Sequence, residues 1–320
     1  MNEPKISIVV VNYNGKNLLK PLLKSIFKSN YKNYGIIVVD NNSSDGSKEF
    51  IRKNYKKIRL VANRKNLGYS GANTAIKYCK GKYVLFLNND MEIGKNCIAE
   101  LVKAISSDSD AAMIAPKLVN FYDNKLSSQG TWVSRAFYNG HIKSIGKDNA
   151  IEIPYMGVGL IRKDFLDMFG CLFDKDYFIY AEDLDLGLRI RLNSKKVLFE
   201  PKAVMHHMHA VTMQKTSKAF TTFLMERNLL TTFFKILSVK NIIFYLPYVL
   251  FARFAAIIRD LAALRADIAI SRLEAIFYVL FNFNFILKKR RETQKFRSAG
   301  DTYILKIFSE KYLFSKKFVV

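Results

Sequence analysis

The stretch YVLFLNND (residues 83–90) stays apolar for five residues and then ends on Asn88, Asn89 and Asp90. A continuous apolar run is typical of a strand that is buried on both faces of a sheet. The three polar side chains that follow belong at the edge of the sheet, where water or a ligand reaches them. We therefore expect the interior of this strand in the core and its last residues in a ligand site.

Two earlier runs have the same form. ISIVVVNYN ends at the cluster Asn12–Asn14, and IIVVDNNSS ends at the cluster Asp40–Ser44. Helical segments and short loops separate the runs, which predicts an α/β fold with a doubly wound, Rossmann-like, mostly parallel sheet. Ligands of such sheets bind beyond the carboxyl ends of the strands, so we expect the three clusters to converge. Beyond about residue 219 the pattern predicts a C-terminal helical extension.

Local patterns predict several further elements. NTAIKYCKG (73–81) reads as a helix, and residues 120–155 read as a loop-and-hairpin insertion. AEDLDLGLRIRLNSKK (181–196) predicts a helix with Leu184, Leu188 and Leu192 on one side. KVLFEPKAVMHHMHA (196–210) predicts a pair of short strands.

Length and charge limit the class of protein. The 320 residues are half hydrophobic, enough for one large domain with an appendage. The net charge is +24, and residues 201–320 carry 20 Lys and Arg against 7 Asp and Glu. A basic region of this kind indicates an anionic partner such as phosphates, nucleic acid or an anionic membrane surface.

The cysteines and the N-terminus indicate a cytoplasmic setting. The three cysteines are far apart and odd in number, which favours reduced thiols. The apolar part of MNEPKISIVVVNYNG (1–15) is too short for a signal peptide or a membrane anchor.

An acidic cluster stands out in this basic sequence. FDKDYFIYAEDLDLGLR (173–189) contains five carboxylates: Asp174, Asp176, Glu182, Asp183 and Asp185. One interpretation is favourable interaction with a helix dipole, and the other is a general base for a hydroxyl nucleophile. Glu182 and Asp183 are adjacent, so repulsion between them can raise the pKa of one carboxyl.

A histidine cluster follows in MHHMHA (205–210). In a strand, His207 and His209 would face one side and His206 the other. No cysteine lies near, which argues against zinc, whereas one histidine could join Asp90 at a Mg²⁺ or Mn²⁺ ion. Asp90 could equally be part of a strand-end turn, where Asn and Asp are common.

Phosphate-binding glycine motifs are absent from the sequence. No G-x-G-x-x-G follows the first strand, and no G-x-x-x-x-G-K-[ST] occurs, which excludes the main dinucleotide and P-loop signatures. Asp40 remains a candidate for a hydrogen bond to a base or ribose, or for an Asx-turn or helix cap.

Several of these motifs, in order, resemble family 2 inverting glycosyltransferases of the GT-A fold, in the style of rhamnosyltransferases. The resemblance covers residues 5 to about 235. The motifs are SIVVVNYNG, VVDNNSSDGS, NLGYSGANTAI, YVLFLNND, GVGLIRKDFLDMFGCLFDKDYFIYAEDLDLGLR, AVMHH and ERNLL. The long string that ends in EDLDLGLR is the most specific of them.

The resemblance implies a role for each matching residue. Asn12, Asn14 and Asn89 lie near the nucleotide, Asp40 contacts the base, and Asn66, Gly68 and Gly71 line the donor pocket. Asp90 is the remaining carboxylate of an Asp-x-Asp metal motif in which Asn88 replaces the first Asp. His206 lies near the Mg²⁺ or Mn²⁺ ion or the diphosphate, and Asp183 is the catalytic base.

The implied reaction is transfer of a sugar from a UDP- or dTDP-sugar, with dTDP-rhamnose favoured by family style, to a glycan or lipid-linked acceptor in cell-surface polysaccharide or glycan assembly. Residues 1–218 would form the catalytic domain, with a nucleotide-sugar part to about 118 and an acceptor-side part from about 119. Residues 219–320 would form the basic helical region. A homodimer is among the expected assemblies, and nucleic acid is not an expected partner.

The C-terminal third has a mixed pattern. NIIFYLPYVLFARFAAII (241–258) is apolar but interrupted by Pro247 and Arg253, which makes it marginal as a transmembrane span. Charged residues recur every seven positions: Arg253, Asp260, Asp267 and Glu274. They predict one polar stripe on an amphipathic helix. The helix could pack on protein or lie on an anionic membrane, and we expect the second, peripherally on the inner face of the cell membrane.

Two other functions compete with sugar transfer. A nucleotidyltransferase that makes an activated sugar would need a glycine-rich basic loop after the first strand, but NYNGKNLLK has a single glycine. A non-enzymatic basic adaptor for membrane or nucleic acid is supported by charge alone. It leaves the acidic cluster at 173–189 unexplained.

Overall fold

Four parallel strands form one half of the central sheet in the computed structural model, which describes residues 3–142, 150–208 and 217–309. They are β1 (Ile6–Asn12), β2 (Tyr34–Asp40), β3 (Arg59–Ala62) and β4 (Tyr83–Asn88), in the spatial order β3–β2–β1–β4. Every residue of β1 is buried. The absence of apolar–polar alternation in its sequence follows from this burial on both faces.

Two α-helices and one 3₁₀ helix connect these strands: α1 (Lys16–Phe27), α2 (Ser47–Asn54) and the 3₁₀ helix Gly68–Tyr78. The helix predicted at 73–81 is present, but it begins five residues earlier, at Gly68, and is a 3₁₀ helix. Its type and start are set by tertiary contacts, because the Asn73 side chain donates to the Phe173 carbonyl at 2.7 Å and accepts from the Leu172 N–H at 2.8 Å.

The other half of the sheet mixes strand directions. β6 (Ala111–Asn120), β11 (Gly159–Arg162) and β12 (Lys196–His207) continue it, with β11 antiparallel between β4 and β6, and β6 parallel to β12. Three short strands pair with this half: β5 (Met91–Ile93), β7 (Leu126–Ser128) and β10 (Ile151–Ile153). The predicted α/β class with a mostly parallel sheet is confirmed.

The insertion between β6 and β11 contains a separate hairpin of β8 (Thr131–Val133) and β9 (Asn139–His141), as the irregular sequence at 120–155 predicts. The two short strands predicted at 196–210 are wrong, because β12 is one strand. Its pairing with β6 shifts between Glu200 and Val204, and this irregularity accommodates Pro201, which has no N–H to donate.

Three helices lie against or beside the sheet: α3 (Cys97–Ser107), α4 (Lys163–Phe169) and α5 (Glu182–Leu192). α5 is buried nearly all round and joins two cores. Leu186 and Ile190 pack in the sheet core, while the predicted stripe Leu184, Leu188 and Leu192 packs in a second core with the C-terminal helices. The domain boundary at 218 stays a prediction, because α5 belongs to both cores.

Five helices follow within residues 217–309: α6 (Lys218–Ile236), α7 (Val239–Ala262), α8 (Ala266–Phe281), α9 (Phe283–Gln294) and α10 (Asp301–Leu305). The predicted polar stripe does not stay on one helix, since the chain turns between α7 and α8. Arg253 and Asp260 face inward and are buried, whereas Asp267 and Glu274 on α8 are exposed.

The inward charges of α7 are paired with neighbouring helices. Arg253 Nε lies 3.2 Å from Glu226 Oε2 of α6, and Arg272 Nε of α8 lies 2.8 Å from Asp260 Oδ2. Arg272 also contacts Glu226. The buried Arg253, the partly exposed Arg272 and the buried carboxylates of Glu226 and Asp260 therefore hold α6, α7 and α8 together through their polar sides.

A second buried ion cluster fixes α5 to the C-terminal helices. Lys235 Nζ of α6 lies 2.6 Å from both Asp185 Oδ1 of α5 and Asp174 Oδ2. Lys289 of α9 contacts Asp174 as well, and Arg189 Nε lies 2.8 Å from Asp185 Oδ2. Burial alone would raise the pKa of Asp174, but Lys235 and Lys289 outweigh it and hold that pKa well below its usual range.

We expect Lys235→Met to lower the free energy of unfolding by about 3 kcal/mol, since it leaves two buried carboxylates short of positive charge. The loss stays at the lower end of the range for broken buried pairs because Arg189 and Lys289 remain in place. Urea unfolding followed by circular dichroism measures it. Lys240→Met is the control, because Lys240 is exposed at the start of α7. Equal stability of the two variants would contradict a stabilising role for the cluster.

Candidate functional site

The carboxyl ends of β1, β2 and β4 lie side by side. In the parallel register Asn12 is opposite Asp40, and Val11 is opposite Asn88. The pairing therefore brings together all three polar clusters that the sequence placed at strand ends. This edge of the sheet is the candidate site.

Asn12 is the centre of a buried hydrogen-bond network at this edge. Its Nδ2 donates to Asp40 Oδ2 at 3.0 Å and to Ser43 Oγ at 3.2 Å, while its Oδ1 accepts from Asn89 Nδ2 at 2.8 Å. Asp40 Oδ1 accepts from the Ser43 N–H at 2.8 Å. Each oxygen of Asp40 thus has one internal partner and keeps capacity for a second hydrogen bond.

Asn14 belongs to the next layer of the same network. Its backbone N–H donates to Ser43 Oγ at 2.9 Å, and its side-chain oxygen accepts from the Ser44 N–H at 2.8 Å. Asn14 has a φ of +47°, a left-handed conformation that Asn tolerates better than most residues. The network ties the loop after β1 to the loop after β2.

The wall next to this network is formed by the turn before the 3₁₀ helix. The Asn66 side chain accepts from the Gly68 N–H at 2.9 Å, as in an Asx-turn. Gly68 has a φ of +60°, and a Cβ on it would lie 1.8 Å from the carbonyl oxygen of Phe178. A Cβ on Gly71 would lie 2.3 Å from Asn41 Oδ1. Close backbone packing accounts for both glycines.

Asp90 lies beside His207 rather than His206. His207 Nε2 is 3.1 Å from Asp90 Oδ2, and the Met208 N–H donates to the Asp90 carbonyl at 2.9 Å. His206 and His207 are consecutive on β12, so their side chains leave opposite faces of the sheet. Of the two histidines, His207 is the one that contacts Asp90, whereas the resemblance assigned His206 to the metal or diphosphate. His209 lies outside the described residues.

The donors at Asp90 fit a hard divalent cation that takes its remaining ligands from a substrate. Asp90 offers a carboxylate and His207 an imidazole, and the buried Asn88 Oδ1 has no hydrogen-bond partner among the described residues. Mg²⁺ in particular is commonly held by one or two protein carboxylates together with substrate phosphates and water. No group of three or more His, Cys, Asp or Glu side chains suited to a metal occurs within the ranges that the structure describes.

Asp183 lies in the first turn of α5. Its Oδ1 accepts from the Leu184 N–H at 2.8 Å, and its Oδ2 would be 3.2 Å from a Cβ on Gly157. The two residues before α5, Tyr180 and Ala181, have φ values of +69° and +58°. Such left-handed conformations at non-glycine residues cost on the order of 1–3 kcal/mol each and are often found at functional sites.

Burial changes the acidity of the two adjacent carboxyls. It raises the pKa of Asp183 to about 6, so this side chain can exchange a proton near neutral pH. Burial also raises the pKa of Glu182 well above its ordinary range, and the charge of Asp183 raises it further. Glu182 Oε2 has no hydrogen-bond partner among the residues described. The sequence indicated one raised carboxyl pKa, and the structure gives two.

Tyr69 connects the strand-end cluster with α5. Burial raises the pKa of its hydroxyl well above the usual range, and the charges of Glu182, Asp90 and Asp183 raise it further. The Tyr69 ring packs edge-on against Phe86 of β4 and Phe173, with 6.3 Å between ring centroids in each case. β11 starts opposite Phe86 of β4, and Asp183 Oδ2 would be 3.2 Å from a Cβ on Gly157, just before β11, so Asp183 lies at the carboxyl end of β4, as Asp90 does.

Sequence reasoning did not select Tyr69, and among the histidines that could join Asp90 the resemblance selected His206 rather than His207. Tyr69 stands inside the motif NLGYSGANTAI, where only Asn66, Gly68 and Gly71 were selected. Its neighbour Gly68 turns the chain so that the Tyr69 N–H donates to the Phe178 carbonyl at 3.0 Å. The position of Tyr69 depends on a contact 109 residues away, for which the sequence gives no local signal.

Residues 7–168 match the model of the family described as glycosyl transferase family 2. The chain is 32% identical over 92 residues to the UDP-Glc:α-D-GlcNAc-diphosphoundecaprenol β-1,3-glucosyltransferase WfgD of Escherichia coli. That match takes in 28% of this chain and 36% of WfgD, so the chain spans about a third of that relative.

Two solved structures share the fold. GalNAc-T7 with UDP, GalNAc and Mn²⁺ aligns with a TM-score of 0.60 at 19% identity, covering 72% of this chain and 48% of that one. The mannosyltransferase PcManGT from Pyrobaculum calidifontis, in complex with GDP-Man and Mn²⁺, aligns with a TM-score of 0.55 at 16% identity, covering 96% and 86%. The predicted GT-A fold with a helical C-terminal region is thereby confirmed.

The wall of the site gives a test of its packing. We expect Gly68→Ala to destabilise the protein by about 2 kcal/mol more than Gly170→Ala, because overpacking adds to the left-handed backbone cost. Gly170 has a similar φ of +70°, but a Cβ there meets no atom within 4 Å. Thermal and urea unfolding measure both variants. Equal losses would show that contact with Phe178 does not restrict residue 68.

Proposed function

Because this chain belongs to glycosyl transferase family 2, we propose that it transfers a sugar from a nucleotide-diphosphate sugar to a hydroxyl group of a glycan or lipid-linked acceptor, with inversion at the anomeric carbon. The observation that supports this most is the placement of Asp90 and Asp183 at the carboxyl end of β4, beside the strand-end network of Asn12 and Asp40. One carboxylate stands at the end of β4, where a diphosphate would bind, and the other stands in the first turn of α5.

Asp183 is the proposed general base. The acceptor oxygen forms a bond to C1 of the sugar as the bond between C1 and the diphosphate oxygen breaks. The electron pair of the broken bond leaves with the nucleoside diphosphate. The hydroxyl proton passes to Asp183. A carboxyl with a pKa of about 6 is ionised at neutral pH and is more basic than an exposed Asp. A single displacement of this kind inverts the configuration.

Asp90 and His207 are the proposed protein ligands of a Mg²⁺ or Mn²⁺ ion. When bound, the ion would balance the negative charge of the leaving diphosphate. The Asn88 side chain, which replaces a second aspartate, would leave one anionic ligand fewer on the protein. The sequence resemblance gave this place to His206, and the contact of His207 with Asp90 leads us to propose His207 instead.

The donor is proposed to be a UDP- or dTDP-linked sugar. WfgD, whose name includes UDP-Glc, supports a uridine nucleotide, and dTDP-rhamnose is the donor that the sequence resemblance implies. Asp40 can accept a further hydrogen bond and is the proposed contact to an imide N–H of the base. The diphosphoundecaprenol in the name of WfgD supports a lipid-linked acceptor.

The pH dependence of turnover tests the role of Asp183. We expect kcat/KM to fall about tenfold per pH unit below about 6, because protonated Asp183 cannot accept the hydroxyl proton. Asp183→Asn should lower kcat by ~10²–10⁴ and leave the Kd for the donor nucleotide nearly unchanged. Initial rates across pH and nucleotide titrations measure these effects.

Asp164→Asn is the matched control for that substitution. Asp164 lies in the first turn of α4 and accepts from the Phe165 N–H at 2.7 Å, which repeats the local geometry of Asp183 outside the site. The activity and pH profile of the Asp164→Asn variant should equal those of the wild type. Wild-type turnover in Asp183→Asn would contradict the assignment of the base.

Nucleotide-dependent thermal stability tests the donor and the metal ligands. A nucleotide at a hundredfold its Kd should stabilise the native protein by about 2.7 kcal/mol. We expect such a shift with UDP or dTDP in the presence of Mn²⁺, and a smaller one with GDP or CMP. The Mn²⁺-dependent part should disappear in Asp90→Ala and in His207→Ala.

His206→Ala is the control on the same strand and should keep the full shift. Loss of the Mn²⁺-dependent shift in His206→Ala but not in His207→Ala would contradict our assignment and restore the one from the sequence. A shift with GDP alone would overturn the proposed donor class.

A further inference from the structure

Helix α7 has two faces of opposite polarity, and the apolar face points outward. Arg253 and Asp260 are buried on the inner side. Six large apolar side chains on the other side, here called the α7 outer face, are 49–71% exposed: Ile243, Phe244, Phe251, Phe254, Ile258 and Leu261. Phe244, Phe251 and Ile258 recur every seven residues, which places them on one stripe of the helix.

This orientation is the reverse of that of a typical surface helix in a soluble protein. A surface helix in water normally turns its apolar stripe to the core and its charges to solvent. Here Arg253 and Asp260 are inside, in ion pairs with α6 and α8. In addition, Arg253 Nη1 donates to the Ala136 carbonyl of the β8–β9 insertion at 2.8 Å. The inner side is therefore bound to the protein, and the apolar side needs another environment.

The charges around the α7 outer face indicate which environment it is. Asp260, which is buried, is the one acidic residue in the sequence of α7. Lys240 and Arg259 are exposed near its two ends, and Arg265 is exposed in the turn that follows. An apolar stripe bordered by cations and without exposed carboxylates matches the acyl chains and phosphates of an anionic bilayer.

We propose that the α7 outer face inserts into the interfacial layer of an anionic lipid bilayer, with α7 lying along the membrane plane. A second copy of the chain is the less favourable occupant, because two such faces would bring like charges together at Lys240, Arg259 and Arg265. In a bilayer the same cations meet lipid phosphates. This proposal does not depend on the transferase reaction, since it concerns side chains of α7 and none of the strand-end residues.

Insertion along the surface fits the structure better than a span. Within the part of the chain that is described, Val239–Ala262 alone is long and apolar enough to cross a membrane, and α8 with α9 would pass only as a pair bent by 71°. If α7 crossed the bilayer, the buried pairs of Arg253 and Asp260 would have to enter it too. α8 also exposes Ile270, Phe277, Leu280 and Phe281, but the exposed Asp267 and Glu274 interrupt its apolar surface, so the continuous apolar stripe is that of α7.

Vesicle flotation of the full chain tests the proposal. The probe is a vesicle of equal parts phosphatidylglycerol and phosphatidylcholine, compared with pure phosphatidylcholine. We expect the wild type to float with the anionic vesicles, and less so at high salt. Phe251→Glu with Ile258→Glu should reduce binding at least about tenfold, since it puts two carboxylates in the apolar stripe.

The matched control carries the same two charges elsewhere. Phe27 and Met168 are exposed on helices of the sheet domain, so Phe27→Glu with Met168→Glu should leave vesicle binding unchanged. Circular dichroism and melting confirm that both double variants fold. Both the wild type and the variants fluoresce from Trp132. The additional fluorescence of the Phe251→Trp variant should be quenched by brominated lipid, and the additional fluorescence of the Met168→Trp variant should not.

Three results would overturn the proposal. Wild-type protein that stays in solution with anionic vesicles would exclude a lipid surface. Equal loss of binding in the two double variants would assign binding to charge alone and not to the α7 outer face. A concentration-dependent dimer in sedimentation, abolished by Phe251→Glu with Ile258→Glu and unaccompanied by vesicle binding, would assign the face to a second copy.

Discussion

The buried ion cluster around Asp185 is the contact on which the architecture depends. Asp185 has no exposed surface and is held by Arg189 within α5 and by Lys235 of α6. Removing two charges from water is costly, and full pairing is what makes their burial tolerable. Because Lys235 also contacts Asp174, one side chain fixes the segment before α5 and α5 itself. Asp183, two residues before Asp185, is positioned by the same contacts.

The cluster also explains why α5 belongs to two cores. Its leucines at 184, 188 and 192 pack with the C-terminal helices, and Leu186 and Ile190 pack under the sheet. A helix held from both sides can keep the strained residues Tyr180 and Ala181 at its start, because surrounding packing opposes their relaxation. The C-terminal helices therefore support the site as well as carrying the outward apolar face of α7.

Polarity patterns in the sequence predicted more about the sheet than about the helices of the C-terminal region. Buried parallel strands give continuous apolar runs, so β1, β2 and β4 were recognised with errors of one or two residues. The seven-residue spacing from Arg253 to Glu274 was recognised in the sequence. The sequence did not show that Arg253 and Asp260 face the interior of the protein. A polar stripe on an apolar helix faces water in one environment and protein in another, and spacing alone is the same in both.

The sequence by itself determined the α/β class, the strand-end clusters at Asn12, Asp40 and Asp90, and the acidic start of α5, because these depend on local periodicity and residue type. Only the tertiary structure decided that His207 faces Asp90, that Tyr69 packs against Phe86 and Phe173, and that the helix predicted from residue 73 begins at Gly68 as a 3₁₀ helix. Each of these depends on contacts between residues far apart in the chain. Their geometry is fixed by sheet register and packing, which no local pattern encodes.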